Sequence, residues 1–186
     1  VDLSQRRTHF NLRIDQTGRT HQLLDHTPGV LGLVIARRGR DEDHLAPAAD
    51  MSWSQQTMEE SFYFSNMSPQ RPECNRGIWK KLEEKVRSWA ALYDTLYVVT
   101  GPILESGLPT IGPNQVSVPK AYFKALIAPR QQKGIAFIMP NAKSDLELAY
   151  FRVSIDELEA KLHRDLFYQL NDQLERQLEV QGEYWP

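Results

Sequence analysis

The sequence is short of several things, and each shortage narrows what the chain can be. Its 186 residues hold one cysteine, Cys74, so no disulfide can form within the chain. No apolar run approaches the ~20 residues that a membrane-crossing helix needs, and no membrane role is expected. There is no internal repeat and no low-complexity linker. Excess charge of one sign is missing too: 22 Lys and Arg against 24 Asp and Glu leave a formal charge of −2. That balance argues against a uniformly basic nucleic-acid binder but not against local basic surface. Such clusters occur at Arg37, Arg38 and Arg40, at Lys80, Lys81, Lys85 and Arg87, at Lys120 and Lys124, and at Arg130 and Lys133. Singly, each reads as a solvated face.

What is present is an ordinary globular composition, 41% hydrophobic and 25% charged, in a length that suits one domain with a sizeable core. Residues 1–186 are therefore taken as a single domain. "FNLRID" (10–15) alternates as a short strand does, and "GVLGLVIARR" (29–38) is a β-branched apolar run of strand type. The clearest helix covers about 75–91, where Ile78, Leu82, Val86 and Trp89 recur at helical spacing and define one buried face. "DTLYVVTGPIL" (94–104), "NQVSVPKAYFKALIAP" (114–129) and "GIAFIMPN" (134–141) read as further strands. The end of the chain is helical in pattern: Ser154 and Glu157 form a capping box, and "DLFYQLNDQLERQLEV" follows with apolar residues at helical spacing. Strands and helices do not alternate regularly, so the expected class is α+β with a largely antiparallel sheet flanked by helices.

Two features suggest chemistry. "RDEDHLAPAAD" (40–50) sets His44 among Asp41, Glu42, Asp43 and Asp50. On the 75–91 helix, Asn75, Trp79, Glu83 and Arg87 follow in steps of four, so an amide oxygen, a carboxylate and a cation share one side. Alone, the stripe is better explained by a solvated Glu83–Arg87 pair. Trp53, Trp79 and Trp89 are read as core, Cys74 as a passive thiol, and His9, His21, His26 and His163 as surface residues.

Taken together, "DHLAPAADM", "FYFSNMSPQ", "NRGIWKKLE" and "YVVTGPIL", followed by "TIGPNQVSVPKAYFKALI", "GIAFIMPN" and "VSIDELE", resemble the DNA/RNA non-specific endonuclease family. That family includes secreted bacterial nucleases and the mitochondrial endonuclease G type, built on a ββα-metal (His-Me finger) core. The resemblance runs from about His44 to the end of the chain, leaving 1–43 poorly matched. It implies His44 as the general base on water and Asn75 as the direct protein ligand of a divalent metal, Mg2+ in the first place, with Mn2+ or another divalent cation as a substitute. It implies Glu83 as a support for the hydrated metal, Arg87 as a phosphate contact and Asn66 as a supporting residue near the site. DNA and RNA would be bound through their phosphate backbones, a homodimer is compatible with the family, and export from a bacterium, secreted or periplasmic, is the expected location.

The match departs from the family at one place. The family's Asp-Arg-Gly-His box reads Asp41-Glu42-Asp43-His44 here, with an arginine reversed in charge and a glycine lost. Acidic neighbours are expected to raise the pKa of His44 and to repel a phosphate backbone. The alternative reading is therefore a catalytically weakened relative that binds nucleic acid or a protein partner.

Overall fold

A computed structural model describes residues 10–15, 20–23 and 41–186 except Trp53, Phe64 and Ser65; of 10–15, 20–23 and 41–43 it describes the backbone. The expected strand at 29–38 and the core position of Trp53 lie outside the described residues.

The centre of the fold is an antiparallel sheet. Its strands are β1 (Phe10–Asp15), β2 (Thr20–Leu23), β5 (Thr95–Pro102), β8 (Ala121–Ala128), β9 (Lys133–Pro140) and β10 (Arg152–Val153), in the order β10-β9-β8-β5-β1-β2. Two short ladders stand apart from it: β3 (Asp41–His44) with β4 (Met67–Gln70), and β6 (Thr110–Ile111) with β7 (Val116–Ser117). The helices are α1 (Gln55–Ser61), α2 (Lys80–Tyr93), α3 (Ile155–Leu162) and α4 (Asp172–Glu179). The class is α+β, as the sequence pattern requires.

Strand periodicity explains how the sheet serves two cores. Successive side chains of a strand point to opposite faces. Tyr122 and Leu126 of β8 and Phe137 of β9 join the cluster that contains Ile78, Leu82, Val86 and Trp89 of the α2 segment. Phe123, Ala125 and Ile127 of β8, with Ala136 of β9, join Ile155 and Leu158 of α3 and Leu178 of α4. Both faces of β8 are thus covered, which is why it reads as an almost unbroken apolar run.

Local signals set the boundaries. The 114–129 stretch is two strands rather than one, broken where Pro119 cannot donate to a ladder. Ser154 accepts from the Glu157 amide at 3.1 Å and Glu157 reaches back to the Ser154 amide at 2.8 Å, completing the capping box that starts α3. The terminal helical pattern is shorter than its apolar spacing suggests, because α4 begins only after its cap at Asn171. Gly134 has a packing reason: a Cβ there would come 2.2 Å from the Leu178 carbonyl oxygen, so α4 lies directly on the β9 backbone.

Candidate active site

The candidate site is drawn from the β3–β4 ladder, the segment that follows it and the helix α2 that comes next in the chain. β3 and β4 pair antiparallel, placing His44 opposite Met67, and the chain then runs through a π-type turn, Cys74–Trp79, into α2. This gives a ββα unit. Leu45, next to His44, and Cys74, next to Asn75, are both 0% exposed in the core cluster that takes the inner face of α2. Burying those two flanks anchors both functional positions to one core.

His44 is half-buried, its ring set edge-on against Phe62 with centroids 4.6 Å apart. Its Nε2 is buried and has no hydrogen-bond partner among the described residues. Burial holds the imidazole below its ordinary pKa, the opposite of the direction expected from its acidic neighbours. The reason is that burial penalises the imidazolium itself. A neutral ring is what a proton acceptor requires.

The loop after His44 is fixed by Asn66. Its amide oxygen accepts from the Ala46 N–H at 2.8 Å, and its amide nitrogen donates to the carbonyls of Ala46 at 2.9 Å and Ser61 at 2.7 Å. The Asn66 backbone carbonyl also accepts from the Leu45 N–H at 2.8 Å. Asn66 therefore holds the backbone beside His44, with its amide turned to the chain.

The helix stripe is only partly regular. Asn75 lies within the π-type turn, where Gly77 departs from helical geometry at φ −105 and ψ −113, so its azimuth is not that of an uninterrupted helix. Glu83, in the first turn of α2, buries its Oε1 with no hydrogen-bond partner among the described residues. Burial, aided by Asp50, pushes the Glu83 carboxyl up to about 7 against the opposing pull of Lys124, of Arg87 and of the Trp79 indole N–H beside it. Arg87 donates to the Asp50 carboxylate at 3.0 Å, tying α2 to the short turn Ala48–Met51 that follows His44. Asp50 is nearly buried, and its pKa is raised by that burial despite Arg87 and Lys124.

Two participants were not singled out by the sequence reading. One is Asp50, the partner of Arg87. The other is Lys124, grouped with Lys120 as solvated charge but in fact 2% exposed, its ammonium 4.9 Å from the centre of the Trp79 ring. Its even position in β8 turns it toward α2 together with Tyr122 and Leu126. The available signal was a single lysine inside a strand buried on both faces. Trp79 and Trp89 are core residues, as expected, Cys74 is buried, and His163 is exposed.

The fold and the site define a class: an α+β protein with a ββα unit that carries a half-buried histidine on its first strand and an asparagine and a carboxylate on its helical segment. The chain belongs to the DNA/RNA non-specific endonuclease family, whose sequence profile matches residues 13–176. It is 39% identical over 139 residues to mitochondrial endonuclease G of Bos taurus, covering 65% of this chain and 46% of that one. It is 36% identical over 146 residues to the mitochondrial nuclease of Saccharomyces cerevisiae, covering 66% of this chain and 44% of that one. A crystal structure of the EndoG/EndoGI complex matches with a TM-score of 0.68 and 32% identity, covering 76% of this chain and 63% of that one. The chain thus spans about half the length of these curated relatives. The expected bacterial, secreted or periplasmic location is corrected by the comparison, since both relatives are mitochondrial proteins.

Proposed function

We propose that the chain is a metal-dependent endonuclease that hydrolyses phosphodiester bonds in DNA and RNA with little regard to sequence. The observation that supports this most directly is the pairing of a neutral, half-buried His44, its Nε2 unmatched among the described residues, with a Glu83 carboxylate oxygen equally unmatched on the helix that follows Asn75. Unmatched buried polar atoms are costly, and sites that keep them do so for a ligand.

The donor set fits a hard divalent cation. An asparagine oxygen and a carboxylate are oxygen ligands of the kind Mg2+ accepts, and Mg2+ retains most of its waters, so few protein ligands suffice. Asn75 would hold the ion and Glu83 would orient its water shell; Mg2+ or Mn2+ bound there supplies charge neutralisation at the phosphate. His44 takes a proton from the attacking water at Nε2. Arg87 spends part of its fork on Asp50, and its remaining donors, on a side chain 36% exposed, are available to a non-bridging phosphate oxygen. Asn66 fixes the backbone on which His44 stands. Phosphate and sugar are the groups addressed, and they carry no direct sequence information.

The test is cleavage of plasmid DNA and of RNA with Mg2+ or EDTA, for the wild type and His44→Ala. Metal-dependent cleavage of both, falling by about 10²–10⁴ in the variant, is the expected result for loss of a general base. Full activity in His44→Ala would refute the assignment of the base. A second reading rests on Asp41-Glu42-Asp43, three acidic residues where phosphate must approach: a relative that binds nucleic acid without cutting it. Salt-sensitive DNA binding by a folded protein that cleaves neither substrate would establish it.

A further inference from the structure

On the other side of the sheet, α3 and α4 bring several acidic side chains together. Asp156 and Glu159 lie one turn apart on α3, Glu175 and Glu179 one turn apart on α4, and Asp165 comes from the connection. Carboxylate oxygens of Asp156, Glu159 and Glu179 lie within 4.8 Å of one another, and so do those of Asp165, Glu175 and Glu179. Glu179 belongs to both groups. It is 6% exposed, and its Oε1 has no hydrogen-bond partner among the described residues. The Glu175 Oε1 is likewise buried and unmatched. Of the other oxygens, Glu159 Oε1 accepts from the Leu166 N–H at 2.6 Å.

A carboxylate that is buried and unpartnered is a poor structural choice unless a cation reaches it. Burial, and then Glu159, Glu175, Asp156 and Asp165, push the Glu179 carboxyl up to about 8; every charged neighbour acting on it is acidic. Arg176 acts on Glu175 but points its residue to solvent. The chain thus assembles the negative half of an ion site.

We propose that these carboxylates bind one calcium ion at Glu179, joining α3 to α4 away from the nuclease site. The donors are all oxygen, with no thiolate or imidazole in the cluster, which selects a hard cation over zinc or copper. Calcium takes 6–8 oxygens at roughly 2.3–2.6 Å in flexible geometry, so its ligand atoms lie no more than about 5 Å apart. The 4.8 Å limit of both groups meets that condition without movement of either helix. Magnesium prefers a tight octahedron and fewer carboxylates. The ion holds α4 down on β9 at Gly134, where the helix already touches the strand backbone.

The experiment is thermal unfolding at fixed ionic strength with CaCl2 or EDTA, for the wild type, Glu179→Gln and Asn75→Ala, joined to calorimetric titration with CaCl2. At a hundredfold excess over Kd, calcium is expected to raise the midpoint by about 5–10 °C in the wild type and in Asn75→Ala. The titration should give one equivalent in Asn75→Ala. In Glu179→Gln the rise disappears, while its midpoint in EDTA is equal to or above that of the wild type, because a buried carboxyl that is costly to ionise is replaced by a neutral amide. If Glu179→Gln does not fold, Asp156→Asn combined with Glu175→Gln is tested in the same way and loses the rise. No calcium-dependent rise in the wild type overturns the proposal. A rise kept in the carboxylate variants, or one lost in Asn75→Ala, overturns it as well.

Discussion

The two faces of the central sheet bury carboxylates by opposite means. On the α2 face, Asp50 and Glu83 sit with Arg87 and Lys124, so the chain itself supplies cations to its buried anions. On the α3–α4 face, Glu179 sits among Glu159, Glu175, Asp156 and Asp165, and no cation among the described residues acts on it. The lesson concerns where compensation originates. Charge can be matched within the sequence, which makes the site permanent, or left for an external ion, which makes it conditional.

Variants can break this comparison from either end. The largest expected effect follows Lys124→Met, which keeps the apolar bulk but removes the buried cation over Trp79 and leaves Asp50 and Glu83 to share Arg87. Breaking a buried ion arrangement costs about 3–5 kcal/mol, and urea unfolding should show a loss in that range. An unchanged midpoint would mean that Lys124 balances nothing. Arg87→Ala strands Asp50 in the same way, but Arg87 is 36% exposed, so solvent screening brings the expected loss to about 2 kcal/mol. Nuclease activity should fall with it, separably from stability if the variant is assayed well below its midpoint.

Asn66→Ala sharpens the difference by touching hydrogen bonds and no charge. It leaves the Ala46 amide and two carbonyls without their partner, for about 1–3 kcal/mol, and loosens the backbone beside His44. The smallest effect is one of pH. Burial keeps His44 below its ordinary value of 6.5, so imidazolium forms only as pH falls past that point. The acid limb of kcat/KM should therefore lie below pH 6.5, with activity intact above it, and stability falls in the same direction because the unfolded chain takes up the proton first. An acid limb above 6.5 would restore the view that Asp41, Glu42 and Asp43 dominate His44.

Much of this was legible in the residues themselves. The apolar runs at 94–104 and 134–141 became β5 and β9, and the Ile78–Leu82–Val86–Trp89 spacing marked the buried side of α2, because burial on a fixed period leaves a local trace. The Ser154 capping box is equally local. The 165–170 stretch escaped, since its apolar residues serve a turn in which the Leu170 N–H reaches the Phe167 carbonyl at 2.8 Å rather than a helix. His44, Asn75 and Glu83 were found through the resemblance of separated blocks, whereas Asp50 and Lys124 depend on contacts across the fold. Sequence spacing does not report that an aspartate near residue 50 meets an arginine at 87. Nor did the acid-rich box reveal that burial would hold His44 below its ordinary value, because burial is a property of the packed loop.

The π-type turn at Cys74–Trp79 has a consequence for how such a protein can change. Gly77 breaks the helical path there, so two helical pieces meet at a kink and the piece carrying Asn75 does not continue the α2 ladder. Deleting one residue there, where Gly77 faces open space, would change the register between the two pieces. It would also swing Asn75 around the axis by about 100° relative to Glu83. Chain length at this point therefore works as an alignment setting: because Cys74 is 0% exposed in the core beside Asn75, a one-residue deletion would displace a core residue and the proposed metal ligand together.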